Sequence, residues 1–240
     1  MITRIEKAMI ARLQAGLGKL VKSVGSYGGE LSDSDIRNIV RQVPAVWVHF
    51  AGIQDTKAVD TARRQYKTTA LFSVILACRN VRSEQSTRYG GPHKLEIGSN
   101  QLVYAVRRIL TGQDLTEQDH DLKIDYLYPK RVRNLRTDKT ESGAIAVYAC
   151  EFQTFWYESV LENQRFPEPE VIQPGQPGNE GTEPVPADPN NPDNIFIDYG
   201  ASISEPYPPF EGAQVDLYQD GNPDPSMSFN IPLEQANEDD

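Results

Sequence analysis

The stretch AIAVYACEFQTFWYE, Ala144 to Glu158, decides the fold. Side chains alternate between the two faces of a β-strand, and one face of this stretch is largely apolar, with Ala144, Ala146, Tyr148, Cys150, Phe152, Thr154 and Trp156. A second stretch, Tyr66 to Arg79, alternates in the same way. Fourteen strand residues span about 46 Å, whereas a compact domain of about 160 residues is roughly 40 Å across. Both strands are therefore predicted either to bend at a bulge or to project beyond the core.

The second face of the last strand carries four more apolar or aromatic side chains, Ile145, Val147, Phe155 and Tyr157. We predict that this face is exposed in a single chain and partly covered in an assembly, with these residues as interface candidates. The alternative is an ordinary strand that is buried on both faces.

The remaining elements follow from hydrophobic periodicity. Helical spacing predicts helices over residues 1–24, 32–43 and 95–111, and alternating or continuous apolar runs predict strands over 45–52, 66–79 and 144–158. Residues 81–94 read as a loop, and residues 121–143 as a mixed segment with one or two short strands. The order α-α-β-β-α-β-β predicts an α+β domain, with a mostly antiparallel sheet of long strands packed by helices.

The charge and the proline content of the chain both change near residue 160. Residues 1–160 hold 23 Lys and Arg against 17 Asp and Glu, whereas residues 161–240 hold 1 against 17, together with 14 of the 17 prolines. Such a change in composition predicts a domain boundary. We assign residues 1–160 to a globular domain, 161–193 to a proline-rich linker and 194–240 to an extended acidic arm.

The acidic arm contains short apolar clusters, which a purely solubilising tail does not need. Its aromatic anchors include Phe196, Tyr199, Phe210 and Tyr218. We predict that the arm docks on a neighbouring subunit or on another protein. The alternative is that it folds back on its own domain.

Catalytic motifs are not apparent in the sequence. The histidines at 49, 93 and 120 lack metal-ligand spacing, and neither a phosphate-binding loop nor a nucleophile turn is found. Cys78 and Cys150 lie in apolar strand patterns and are predicted to be small buried side chains. No apolar run of 18 residues is present. We expect no enzymatic activity, no cofactor, no bound metal and no membrane span.

One basic cluster, PKRVRNLRTDK, brings Arg131 and Arg133 onto one strand face, with Arg136 close by. Three interpretations remain open: contact with nucleic-acid phosphates, contact with an acidic protein surface, or a solvated face. No aromatic residues are interleaved to support base stacking.

The order of these segments resembles a known family of phage proteins. The resemblance covers about residues 1–160 and rests on the first amphipathic helix and on the segments VWVHFAG, RRQYKTTALFSVILACRN, SNQLVYAVRRILTG, LYPKRVRNL and AIAVYACEFQTFWYE. The chain is similar to the tail-terminator or minor tail proteins of Mu-like contractile-tailed phages, and more distantly to the lambda-type tail terminator. The long acidic extension is not a general feature of that family.

The resemblance implies a structural role in the virion, after assembly in the host cytoplasm. It implies a homo-oligomer, a hexameric ring that caps the tail tube and sheath and joins them to the neck, with genomic DNA passing through the lumen without specific binding. The arginines 131, 133 and 136 are then expected outside the DNA channel. The alternatives are another neck, connector or tail-tube subunit, or a nucleic-acid-binding protein that uses the basic cluster at 130–139.

Overall fold

A computed structural model describes residues 1–29, 42–80, 83–93, 96–140, 143–182, 184–204, 212–218 and 225–232. The chain divides into two compact units, Met1–Leu161 and Glu162–Asp240. The predicted second helix, over residues 32–43, lies almost entirely outside the described residues. Within them, no helix is both long enough and apolar enough to cross a membrane.

The first unit contains a helical layer and a five-stranded sheet. Its described elements in chain order are α1 (Ile2–Leu17), a 3-10 turn (Gly18–Leu20), β1 (Ser23–Ser26), β2 (Ala45–Ala58), β3 (Gln65–Asn80), α2 (Glu84–Tyr89), α3 (Ser99–Leu110), β4 (Tyr128–Thr140) and β5 (Gly143–Ser159).

Helix α1 is shorter than its apolar pattern predicts. Its inward face holds Ile5, Met9 and Leu13 at helical spacing, and all three are fully buried. The helix ends at Gly18, whose φ of +48° is tolerated by glycine far better than by other residues. The prediction that the helix continues to Val24 is wrong, because Val24 belongs to strand β1, which pairs with β2.

The sheet has the strand order β1-β2-β3-β5-β4. β1 runs parallel to β2, and the other neighbouring strands are antiparallel. The prediction of an α+β fold with a mostly antiparallel sheet of long strands is therefore confirmed.

The two longest strands, β3 and β5, pair without a register shift from Gln65 opposite Ser159 to Asn80 opposite Ala144. The irregularities lie in the flanking strands. β2 shifts register on either side of Gly52 and Ile53, and β4 shifts twice against β5. Gly52 has a φ of +111°, a conformation that suits glycine at a bulge. The central pair of strands is thus regular along its whole length, and the bulges lie in the strands on either side.

The two faces of the sheet bury different clusters. The helix face packs against α1 and α3, and it includes the even-numbered core residues of β3 and β5, such as Phe72, Val74 and Phe152. The opposite face, here called the outer face, carries a smaller buried cluster. Its members are Val43, Ala45, Trp47, Ile75, Ala77, Ile145 and Val147.

Two segments differ from their predicted structure. The predicted loop over 81–94 contains the short helix α2, which Ser83 caps by accepting a hydrogen bond from the Ser86 amide at 3.0 Å. The mixed segment over 121–143 contains one long strand, β4, where one or two short strands were predicted. β4 can be this long because it pairs along most of β5.

The second unit has little regular structure among its described residues. It contains the strand pair β6 (Val171–Ile172) and β7 (Val185–Pro186), the short helix α4 (Asn194–Asp198), and the pair β8 (Gly212–Tyr218) and β9 (Pro225–Pro232). β8 and β9 form a separate two-stranded antiparallel sheet.

Candidate interaction surface

One end of the sheet is largely exposed and contributes only Trp156 to the main buried core cluster. This distal end consists of residues 53–58 of β2, 65–69 of β3 and 155–159 of β5, which are hydrogen-bonded side by side. All six of its β2 residues are exposed, and in β3 only Thr68 is fully buried. Because the β3–β5 register continues unbroken from the core, the distal end is an extension of the sheet rather than a loop.

The outer face of the distal end presents aromatic side chains beside a lysine. The rings of Phe155 and Tyr157 meet edge to face, with their centroids 5.7 Å apart. The Lys67 Nζ lies 3.5 Å from the centre of the Phe155 ring, a cation–π contact. Phe155 is half-buried, and Tyr157 is 51% exposed. Two of the four predicted interface residues of β5 therefore lie in an exposed aromatic patch.

Two further tyrosines lie beside this patch, one just before β4 and one at the first residue of that strand. Tyr126 and Tyr128 are about half exposed, and Tyr128 is paired with Gln153 of β5. The carboxylate of Asp125 accepts a hydrogen bond from the Tyr128 hydroxyl, which raises the pKa of that tyrosine. The backbone amide of Asp125 donates to the Phe155 carbonyl at 2.9 Å, so this segment is fastened to β5.

The other two interface candidates on β5 are buried. Ile145 is 6% exposed and Val147 is 1% exposed, and both pack in the outer-face cluster with Trp47 and Ile75. The expectation that the whole outer face is exposed in a single chain is therefore wrong for this half of the strand. Whether these two residues contribute to an assembly stays a prediction.

Two arginines of the basic cluster on β4 contact one buried carboxylate. Glu151 of β5 has a side chain that is only 3% exposed, and its two oxygens lie 2.7 Å from Arg131 Nε and 2.7 Å from Arg133 Nη2. The arginine side chains themselves are 66% and 47% exposed. Arg136, the third basic candidate, is half-buried and has polar contacts of its own. A buried carboxylate is stable only when it is paired in this way.

The loop that contains Asp119 is held against helix α1 by an ion pair. Asp119 accepts two hydrogen bonds from the Arg4 guanidinium, at 2.7 and 2.6 Å, which ties the loop to α1. These hydrogen bonds hold the pKa of Asp119 below its usual value. Among the described residues, no three His, Cys, Asp or Glu side chains come together in a group that could hold a metal ion.

The two cysteines are buried, free thiols, as predicted. Burial raises the pKa of Cys78 and of Cys150 to about 12. Because the thiolate is the reactive form, both side chains are poor nucleophiles at neutral pH.

The interface candidates of the acidic arm are only partly described. Phe196 lies on α4 and is half-buried, and Tyr199, just beyond the helix, is 82% exposed. Phe210 lies outside the described residues. The backbone of Tyr218 is in β8, and its side chain is likewise outside the description.

Sequence reasoning missed three members of the surface: Glu151, Lys67 and Tyr128. Glu151 could have been noticed, because it is the single acidic residue in the mostly apolar stretch 144–156. Lys67 and Tyr128 could not be found from the sequence, because their positions beside Phe155 and Gln153 depend on strand register.

Comparison with known proteins relates this chain to phage proteins. Residues 1–157 match the family described as Bacteriophage Mu, Gp37. The Mu-like prophage FluMu protein gp37 of Haemophilus influenzae is 22% identical over 151 residues, which cover 63% of this chain and 68% of that relative. The molecule is thus a Mu-like phage protein. The chain belongs to the Bacteriophage Mu Gp37 family, because the match covers well over half of its length.

Proposed function

We propose that this protein is a structural subunit of the phage tail, and specifically a tail terminator. In this role a ring of subunits, six in our proposal, caps the tail tube and sheath and joins them to the neck. The genome passes through the ring without specific binding. The protein acts through assembly in the virion, without catalysis or a cofactor.

The observation that carries the proposal is the exposed aromatic end of an otherwise well-packed sheet. Phe155 and Tyr157 lie on one outer face, joined to the core by the unshifted β3–β5 pairing, and Tyr128 lies beside them, paired with Gln153. Aromatic side chains on rigid elements contribute most of the energy in many interfaces, with about 2 kcal/mol or more for each hot-spot residue. A surface of this kind suits a subunit whose neighbour covers the distal end.

The basic cluster fits the proposed passage of DNA through the lumen. Arg131 and Arg133 share the carboxylate of Glu151, so part of their charge is neutralised within the chain. Strong phosphate contacts would hinder sliding, because each one adds to a salt-dependent affinity for the backbone. We therefore expect these arginines, together with Arg136, to lie outside the channel of the proposed ring.

The proposed ring can be tested with paired substitutions in the patch. Phe155→Ser with Tyr157→Ser should shift the purified protein from rings to single subunits, as measured by light scattering and negative-stain imaging. The matched control is Tyr104→Ser, which replaces an exposed tyrosine on α3. Unchanged ring formation by a folded double variant would remove this surface from the interface and, with it, the main support for the proposal.

The terminator role can be separated from the neighbouring tail roles in the phage itself. Loss of a terminator leaves tube growth unchecked, so a deletion lysate should contain overlong tails. Loss of a neck connector should leave tails of normal length, and loss of a tube subunit should leave no tails.

One observation favours a second candidate function, nucleic-acid binding. The guanidinium groups of Arg131 and Arg133 remain accessible despite their shared ion pair. Salt-sensitive binding of duplex DNA that is lost in Arg131→Gln with Arg133→Gln would favour this function over a purely structural one.

A further inference from the structure

The last part of strand β2, residues 53–58, is an open edge of the sheet in the part of the chain that the structure describes. β1 pairs with β2 only as far as Val48, and residues 53–58 pair with β3 alone. All six of these residues are exposed. The backbone groups on the open side of an edge strand are a template for a further strand.

The free backbone groups of this edge belong to Thr56 and Ala58. The Val59 amide donates a hydrogen bond to the Gln65 carbonyl of β3 at 3.0 Å, and Asp55–Ala58 precede it in one unshifted register with β3. Alternate residues of an antiparallel strand bond to the same neighbour, so Val59 and the residues two and four before it bond to β3. The amides and carbonyls of Thr56 and Ala58 therefore point away from β3, toward the open side.

The charges of this edge favour one way of pairing two copies. Asp55 and Lys57 lie on the outer face and form an exposed ion pair at 2.7 Å. A two-fold antiparallel pairing centred on Thr56 places Asp55 of each copy opposite Lys57 of the other, so opposite charges meet twice. A pairing centred on Asp55 or on Lys57 places like charges opposite each other, which is destabilising.

The neighbouring strand also favours a carboxylate from a partner. Lys57 lies directly opposite Lys67 of β3, and like charges in that position repel each other. Asp55 of the same chain offsets part of this repulsion through its contact with Lys57. Asp55 of a second copy would add another carboxylate beside the two lysines.

We propose that two copies of this protein join edge to edge through β2, in an antiparallel two-fold pairing centred on Thr56. The register shifts on either side of Gly52 and Ile53 limit the regular part of the edge, so the pairing is short and is best detected by covalent trapping. A two-fold contact closes with two copies. The inference therefore goes beyond the proposed ring and does not depend on it.

A single cysteine on the two-fold axis traps this pairing in the full-length chain. Thr56→Cys places two thiols opposite each other, with their Cα atoms about 5.5 Å apart, which a disulfide can bridge. The matched control is Ala58→Cys, which is also exposed and lies on the same face of the strand. In the proposed register it lies opposite Gln54 of the partner subunit, so the two introduced cysteines are about 13 Å apart. Cys78 and Cys150 do not interfere, because burial raises the pKa of both thiols to about 12.

We expect mild oxidation to convert Thr56→Cys, but not Ala58→Cys, to a disulfide-linked dimer, measured on non-reducing gels across a dilution series. A dimer yield from Ala58→Cys that equals that from Thr56→Cys would overturn the proposal. The absence of dimer from both variants would also overturn it and would show that the charges protect the edge from strand addition.

Charge reversal tests whether Asp55 and Lys57 set the register. Asp55→Lys and Lys57→Asp, each combined with Thr56→Cys, should lower the dimer yield about two- to tenfold, because both opposed pairs become like-charged. A mixture of the two variants, one of which carries a size tag, should recover the yield as a dimer of unequal chains, because every opposed pair then carries opposite charges. Unchanged yields from the single reversals, or no recovery in the mixture, would overturn the proposed register.

Light scattering of the unsubstituted protein separates this inference from the proposed function. Rings without trapped dimers would overturn the edge pairing and leave the proposed function standing. Trapped dimers without rings would support the edge pairing and count against the ring.

Discussion

The two halves of strand β5 differ on the same outer face. Near its start, Ile145 and Val147 are buried with Trp47, whereas near its end Tyr157 is half exposed and Phe155 is only partly covered. The pairing with β3 is the same in both halves, because one unshifted register runs along the whole strand. The neighbouring side chains differ: on β3, Ala77 and Ile75 lie opposite Val147 and Ala149 of the first half, whereas Lys67 and Thr69 lie opposite Tyr157 and Phe155 of the second. Alternation alone thus tells which face a residue is on, and the neighbouring strands decide whether that face is buried.

Glu151 lies between the two halves. It is opposite Ser73 of β3, and both side chains are buried. Its pairing with Arg131 and Arg133 introduces charge where the outer face changes from apolar to aromatic and polar. We expect the apolar half of β5 to stabilise the fold and the aromatic half to support association. Substitutions in the two halves should therefore have different effects.

The largest expected effect is in the buried half. Ile145→Ala should lower the free energy of unfolding by about 2–5 kcal/mol, because it removes buried methyl groups and leaves a cavity. Urea unfolding followed by circular dichroism measures this change. The matched control is Tyr157→Ala on the same face of the same strand, which should cost only about 0.5–1.5 kcal/mol, because this half-exposed side chain loses chiefly its edge-to-face contact with Phe155. Equal losses in the two variants would show that the two halves do not differ in this way.

The fold class could be predicted from the sequence because its signals are local and repeated. The alternation in β5 and the helical spacing of Ile5, Met9 and Leu13 are legible without tertiary information. The end of α1 was missed because the apolar spacing continues past Gly18, where the backbone turns. Strand β4 was read as shorter pieces because an edge strand with mixed side chains lacks a clear period.

The candidate surface was only half predictable. Phe155 and Tyr157 could be found because aromatic residues on a second strand face are conspicuous in the sequence. The sequence could not show that Ile145 and Val147 are buried while these two aromatics are not, because that burial depends on Trp47 of β2, which packs in the same cluster. The ion pair between Glu151 and Arg131 could not be predicted either, because it depends on the register between β4 and β5.

A smaller effect is expected at the junction between the two halves. Arg131→Ala with Arg133→Ala leaves the buried Glu151 carboxylate without these partners, and it should lower the free energy of unfolding by about 1–3 kcal/mol. The loss stays modest because both arginines are largely exposed, so water can reach the carboxylate once they are removed.

The reason for that loss can be checked by a third substitution. Glu151→Met in the double-alanine background should recover most of the stability, because an apolar side chain of similar size replaces the unpaired buried charge. If the triple variant is no more stable than the double variant, the loss comes from the arginine stems and not from the carboxylate.

The smallest effect on folding is expected at the exposed end. Lys67→Met keeps the aliphatic stem over the Phe155 ring and removes the charge, so it should cost about 0.5–1 kcal/mol, the usual worth of an exposed cation–π contact. A double-mutant cycle with Phe155→Leu isolates this contact, since the leucine stays apolar but has no ring. If the distal end lies in an interface, Lys67→Met should weaken ring formation, measured by light scattering during dilution, by more than it weakens folding. An assembly that dilutes like the unsubstituted protein would place Lys67 outside the interface, and the exposed half of β5 would then differ from the buried half in stability alone.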